Sequence, residues 1–232
     1  EYRLKPETPL AKFVHFLFTL FFRFRVYGGD DLDAKGPVLL IPNHVSWIDF
    51  LFLGVCLKDD WRFVTSATTA EASWVHRKIM RSSRSFPVDT TSPYAIKHIA
   101  EYLRSGGRLV LFDEGRITTT GALMKLYEGC GFLLLKTPAK VITCHLRGAN
   151  RFALTKHKGW KKWFPNISVH FSRIKEPPAR EFSSSMQGRR QLTSWLRDSM
   201  VEQQFQVETQ FGPKTVLDAV IENRYQQPGL SI

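Results

Sequence analysis

The chain has 232 residues, with 33 Lys and Arg against 21 Asp and Glu and a formal net charge of +12. That length fits one sizeable core, so one domain, or one domain with a small helical appendage, is expected rather than several. Its three cysteines, Cys56, Cys130 and Cys144, form no CxxC pair and have no His at ligand spacing, which argues against zinc and iron–sulfur centres and for free thiols in a reducing compartment. The basic charge is concentrated: residues 147–191 hold eleven Lys and Arg against Glu176 and Glu181. Such a region points to a polyanionic partner, whether anionic lipid, nucleic acid or an acidic protein.

The sequence begins at Glu1 rather than Met, which fits a piece of a longer protein. Residues 9–26 (PLAKFVHFLFTLFFRFRV) carry six Phe in twelve residues, yet Lys12, His15, Arg23 and Arg25 interrupt them. The apolar run is shorter than the roughly 18 to 20 residues a spanning helix requires. A signal peptide also fits poorly, because no small-residue cleavage site follows. Two readings remain: a buried core helix, or an amphipathic helix lying in the headgroup region with its cations near its ends. The Phe content favours the second.

The turn-like YGGDDLDAKG leads into residues 37–42, a short apolar run expected to be a buried strand. A helix is predicted to start at Ser46, where Ser46-Trp47-Ile48-Asp49 has capping-box form. Residues 61–65 predict a second strand and residues 73–81 a short basic helix. Residues 92–104 have helical spacing and stop at Gly106-Gly107, as a helix C-cap would. Residues 108–112 predict a third strand, 122–136 a helix, 141–146 a fourth strand and 167–174 a strand at the sheet margin. Residues 183–210 read as a polar helix, and a fresh apolar pattern opens at Thr215. Strands alternating with helices define an α/β fold: a mixed, largely parallel sheet flanked by helices and preceded by the N-terminal amphipathic helix. The expected organisation is residues 1–30 for membrane association, 31–212 for the main domain, and 213–232 for a linker or the start of another domain.

Two clusters carry chemistry. In Asn43-His44-Val45-Ser46-Trp47-Ile48-Asp49 the His leaves a strand and the Asp follows five positions later, where it can turn back onto the imidazole. An Asp on one ring nitrogen fixes the tautomer and leaves the other nitrogen as a general base. The bland alternatives are a hydrogen-bonded His and an Asp that only caps its helix. No GxSxG elbow surrounds Ser46, which argues against a hydrolase nucleophile. The second cluster is Phe112-Asp113-Glu114-Gly115-Arg116-Ile117-Thr118 at a strand exit. Gly115 permits close backbone approach, Arg116 offers a phosphate-matching fork, and Glu114 can order the Arg or accept from a glycerol hydroxyl. Alone, it could equally be a charged surface turn.

His-x4-Asp after one strand, with Phe-x-Glu-Gly about seventy residues on at another strand end, resembles the glycerolipid acyltransferase superfamily. The wording Glu114-Gly115-Arg116-Ile117-Thr118-Thr119-Thr120-Gly121 is similar to the acyltransferase domain of the bifunctional 2-acylglycerophosphoethanolamine acyltransferase/acyl-[acyl-carrier-protein] synthetase branch. The resemblance implies that His44 is the base and Asp49 its partner, with Glu114, Gly115, Arg116 and Thr118 holding the acceptor. It implies transfer of a fatty acyl group from acyl-carrier protein or CoA thioester, as cosubstrate, to the free hydroxyl of a lysophospholipid such as 2-acylglycerophosphoethanolamine. No metal and no further cofactor are implied.

The alternatives are a 1-acylglycerol-3-phosphate acyltransferase, a thioester hydrolase, or a non-catalytic basic module binding membrane or nucleic acid. Peripheral or monotopic placement on the cytoplasmic face of the inner membrane is implied, with an anionic membrane surface as partner and an acyl-[acyl-carrier-protein] synthetase domain fused or paired. Two departures stand out: Asp113 occupies a position where Pro is usual, and Phe86-Pro87-Val88-Asp89-Thr90 lacks the family's Arg, for which Arg84 is the candidate replacement. The stretch Lys156-His157-Lys158-Gly159-Trp160-Lys161-Lys162-Trp163-Phe164 interleaves cations and aromatics, as membrane-interface loops and nucleic-acid binders do. Beside such a site, lipid headgroups or an acidic carrier are more economical partners than nucleic acid.

Overall fold

The computed structural model describes residues 2, 4, 8–66, 84–89, 94–153, 155, 161–178 and 182–212. The predicted basic helix at 73–81, Thr90, residues 156–160 of the cationic–aromatic stretch and the pattern opening at Thr215 lie outside them. Seven described strands make one sheet: β1 (Arg25–Tyr27), β2 (Val38–Pro42), β3 (Trp61–Ser66), β4 (Ser85–Val88), β5 (Arg108–Val110), β6 (Lys140–Arg147) and β7 (Ser168–Phe171). Their order is β1-β7-β6-β2-β5-β3-β4. Every pairing is parallel except β6 with β7, so the expected mixed, largely parallel sheet is what forms.

Period-two alternation sends the central strands to two cores. Val38 and Leu40 of β2, Val110 of β5, and Ile142 and Cys144 of β6 face one core, shared with Phe52 and Leu53 of α2 (Asp49–Cys56). Leu39, Ile41, Leu109 and Val141 face the other, against α3 (Ala95–Arg104), α4 (Glu128–Lys136) and α5 (Ser185–Phe211). Because both faces are covered, β2 is buried throughout, which is why it reads as a continuous apolar run. The backbones of α4 and α5 nearly touch at Gly131, where a Cβ would lie 2.1 Å from the Arg189 carbonyl oxygen.

The first helix, α1, spans Pro9–Phe22. Thr8 caps its start by accepting a hydrogen bond from the Ala11 amide at 3.1 Å. It stops four residues earlier than the apolar run, because Arg23 adopts a left-handed conformation (φ 44°) that ends it. Residues 25–27, expected within the N-terminal segment, instead add an edge strand to the main sheet. Strand β7 is therefore not at the margin: β1 covers its outer side. No α1 residue is buried; Phe18 and Phe22 rest on the core while Leu10, Phe13, Phe16 and Leu20 remain exposed. No helix of the described residues is long and apolar enough to cross a membrane.

Two other boundaries differ from expectation, and one strand was not foreseen. Helix α2 starts at Asp49, after a turn at Trp47-Ile48, because Ser46 does not cap it. Residues 111–127 form a long loop, so α4 begins only at Glu128. Strand β4 contains Pro87 and pairs with β3 alone, an edge position where a missing amide is tolerated.

Candidate active site

The two sequence clusters meet at the carboxyl ends of the adjacent strands β2 and β5, the edge where open α/β sheets place ligands. Asn43 extends the β2–β6 pairing past the last strand residue. Its side-chain oxygen accepts from the Leu146 amide at 2.7 Å, and its side-chain nitrogen donates to the Leu146 carbonyl at 3.1 Å. The chain direction into His44 is thereby fixed.

His44 lies 21% exposed, its ring 4.3 Å from that of Phe112. Its Nδ1 is 3.0 Å from Asp49 Oδ2. The same Oδ2 accepts from the Val45 and Ser46 amides, both at 2.8 Å, and Oδ1 accepts from the Ser46 hydroxyl. Ser46 thus donates to Asp49 rather than capping the helix. Asp49 is fully buried, and an acceptor already serving backbone donors is a carboxylate, so Nδ1 carries the hydrogen. That leaves the Nε2 lone pair, which has no hydrogen-bond partner among the described residues.

Glu114 braces this loop from the neighbouring strand. Its Oε1 accepts from the His44 amide at 2.8 Å and its Oε2 from the Met124 amide at 2.7 Å. Only 2% exposed, it neither pairs with Arg116 nor faces open solvent. Burial raises its pKa, opposed by the bonds from Met124 and His44.

Thr118 is likewise buried: its amide donates to the His44 carbonyl at 2.9 Å, and its hydroxyl accepts from the Gly121 amide at 3.2 Å. Gly115 has φ +64°, and a Cβ there would meet the Tyr127 ring at 2.7 Å. Arg116 is exposed and has no side-chain partner among the described residues, which leaves its guanidinium open to a ligand.

Asp113, where the family pattern has Pro, is 5% exposed with Oδ2 unpartnered. Burial pushes its carboxyl up to about 7; the Cys130 thiol bonds to it and the Glu114 charge adds to the rise. Arg84 does not reach the dyad. It donates to the carbonyls of Gly54 (2.9 Å), Leu57 (3.2 Å) and Lys58 (3.1 Å), closing the far end of α2 from the end that holds Asp49. A helix of that length puts about 12 Å between the two ends. Cys56, Cys130 and Cys144 are all buried free thiols.

A buried carboxylate orienting a half-buried imidazole, braced by a second loop on the next strand of a mainly parallel sheet, defines an α/β protein whose site offers a ring nitrogen that can act as a base. The chain belongs to the Acyltransferase family, which matches residues 23–147. It is 30% identical over 128 residues to the lyso-ornithine lipid O-acyltransferase of Rhizobium meliloti (strain 1021), covering 53% of this chain and 42% of that protein. The chain therefore spans about two fifths of the length of that relative. The crystal structure of the 1-acyl-sn-glycerophosphate (LPA) acyltransferase PlsC from Thermotoga maritima shares the fold, with a TM-score of 0.59 over 83% of this chain and 78% of that one at 19% identity.

Proposed function

We propose that this chain transfers a fatty acyl group from an acyl thioester, carried by acyl-carrier protein or CoA, to the free hydroxyl of a lysolipid. The observation that carries the reading is the His44–Asp49 pair, with Nδ1 held at 3.0 Å and Nε2 left without a partner. In the proposed step, Nε2 takes the hydroxyl proton as the oxygen attacks the thioester carbonyl. The carbon–sulfur bond then breaks, and the thiolate leaves with the proton from the imidazolium. No metal and no covalent enzyme intermediate take part. Arg116 meets the acceptor headgroup, while Glu114, Gly115 and Thr118 shape the loop that presents it.

The acceptor proposed from the motif wording is 2-acylglycerophosphoethanolamine, with a synthetase domain fused or paired to supply acyl-carrier-protein thioester at the cytoplasmic face of the inner membrane. A second reading, a lyso-ornithine lipid acceptor, is favoured by the name of the relative at 30% identity. Acyl transfer by purified protein, crossing both donors with lysophosphatidylethanolamine, lysophosphatidate and lyso-ornithine lipid, separates these acceptors. His44→Ala should lower the rate by about 10² to 10⁴ with folding intact. Near-normal transfer by that variant sinks the proposal, and equal release of free fatty acid with and without acceptor would make the protein a thioesterase.

A further inference from the structure

Asp113 and Glu114 are consecutive carboxyl groups at the exit of β5, 5% and 2% exposed. If both were charged, each would face the other inside the protein, and no Lys or Arg among the described residues offsets either one. Their partners assign the charge. Each oxygen of Glu114 accepts an amide, from His44 at 2.8 Å and from Met124 at 2.7 Å, as an ionised carboxylate does. The Asp113 carboxyl has the Cys130 thiol, a weak donor, and its Oδ2 has no partner. An unpartnered oxygen costs a buried carboxylate far more than a neutral acid. The proton of the pair therefore sits on Asp113.

The same residue closes the neck of a loop. Residues 111–127 leave β5 and re-enter regular structure at α4, which starts at Glu128. The Tyr127 amide donates to the Asp113 carbonyl at 3.3 Å, and the Asp113 side chain meets Cys130, fully buried in the first turn of α4. Main chain and side chain of one residue thus join the two ends of the loop. Between those ends lie Glu114, which holds the His44 amide, and Thr118, whose amide donates to the His44 carbonyl at 2.9 Å. Opening the neck moves both groups that seat His44.

We propose that Asp113 is a positioning residue whose neutral carboxyl keeps the loop closed on His44, and whose ionisation releases the loop from α4 and unseats that histidine. A second buried negative charge beside Glu114 has the thiol alone to settle it. Relief comes from turning the carboxylate out to water, which draws the chain away from Tyr127 and Cys130.

Burial, with the Glu114 charge adding to it, places the midpoint at about 7. The neutral form is the one that the closed loop favours, so closure is complete below that midpoint and weakens above it. Each further pH unit favours the open loop by up to about tenfold. His44 must be neutral to take a proton, so its protonation limits the acid side of the rate and Asp113 limits the alkaline side. Only this rate effect rests on the acyltransferase function proposed above.

The test uses the full chain with Asp113→Asn and Cys130→Ala. Asn keeps a neutral group of the same shape, whereas Ala removes the donor that favours the charged acid and so moves the midpoint upward. The His44, Met124 and Tyr127 amides are followed by ¹⁵N–¹H NMR from about pH 6 to about pH 9, with rates of acyl transfer measured over the same range. In the parent, the three amides should shift together with a midpoint of about 7, and kcat/KM should fall above it. Asp113→Asn should abolish both changes, and Cys130→Ala should carry both to higher pH.

Amides that do not titrate in the parent, or that titrate unchanged in folded Asp113→Asn protein, overturn the proposal. So does an alkaline fall in rate that Asp113→Asn retains. If the amides titrate as stated and no lysolipid is acylated at any pH, the positioning role stands and the acyltransferase reading falls. Acyl transfer that stays level above the midpoint in the parent does the reverse.

Discussion

Replacing Asp49 by Asn tests how the dyad works. The Asn amide oxygen can take the place of Oδ2, which accepts from the Val45 and Ser46 amides at 2.8 Å. Those two donors hold an oxygen, not an amide nitrogen, toward His44, so Nδ1 keeps its hydrogen and the tautomer survives. The amide nitrogen then faces the Ser46 hydroxyl, which can turn from donor to acceptor. What disappears is the charge opposite the imidazolium. At 3.0 Å, a full ion pair is worth about 5 kcal/mol at an effective dielectric of 20. A neutral hydrogen bond retains roughly half of that, which leaves a loss of about 2 to 3 kcal/mol, or about 10²-fold in kcat. Asp49→Ala differs in kind: it strips partners from the buried Val45 and Ser46 groups, at roughly 1 to 3 kcal/mol for each one left unsatisfied, and should lower stability as well as rate. The assay is single-turnover acyl transfer with KM measured separately, alongside thermal unfolding. An Asn variant that folds normally and keeps kcat within threefold would refute the carboxylate's role.

Two further outcomes follow from burial. Asp113 has its carboxyl raised to about 7 from an ordinary 3.8, so the folded chain holds a proton there that the unfolded chain has lost. Stability should therefore fall as pH rises from about 4 to about 7 and level off above, by at most about 4 kcal/mol. Asp113→Asn should flatten that slope and raise the unfolding temperature at pH 8; an unchanged slope in urea titrations across this range contradicts the assignment. On α1, Phe13 and Phe16 are 59% and 60% exposed, so Phe13→Ser with Phe16→Ser should leave folding intact and weaken vesicle partitioning at least tenfold, since inserting one Phe is worth about 1.5 to 3 kcal/mol. Equal co-sedimentation of variant and parent with vesicles would show that α1 does not bind membrane.

The central strands were legible because burial on both faces makes β2 and β6 apolar throughout, and the His44–Asp49 pair was legible because its spacing turns the Asp back onto the ring. Short-range signals failed where a tertiary partner decides the outcome. Arg25–Tyr27 continues a Phe-rich helical pattern and becomes a strand only because β7 offers it an edge. Ser46 has the form of a cap, yet its hydroxyl prefers the buried Asp49 carboxylate. Residues 122–127 read as the opening of a helix, but the Met124 amide donates to Glu114 and they stay in the loop. Arg84 could not be assigned from sequence, because the carbonyls it closes belong to a helix some thirty residues earlier in the chain.

The structure also explains why the second cluster holds a Glu with a Gly beside it. The carboxylate must accept two backbone amides on opposite sides, from His44 and from Met124, while 2% exposed. A Gln offers one acceptor oxygen and a competing donor, and would leave one of these amides facing an amide nitrogen. Gly115 must then turn through φ +64° beside the Tyr127 ring, a path that a side chain would block. That turn carries Arg116 outward, away from the carboxylate it might otherwise pair with. The Glu thus fixes the main chain that carries His44, and the Arg is the one that the proposed function leaves to the ligand. The two charged residues sit together in sequence because one sharp turn divides them between these tasks.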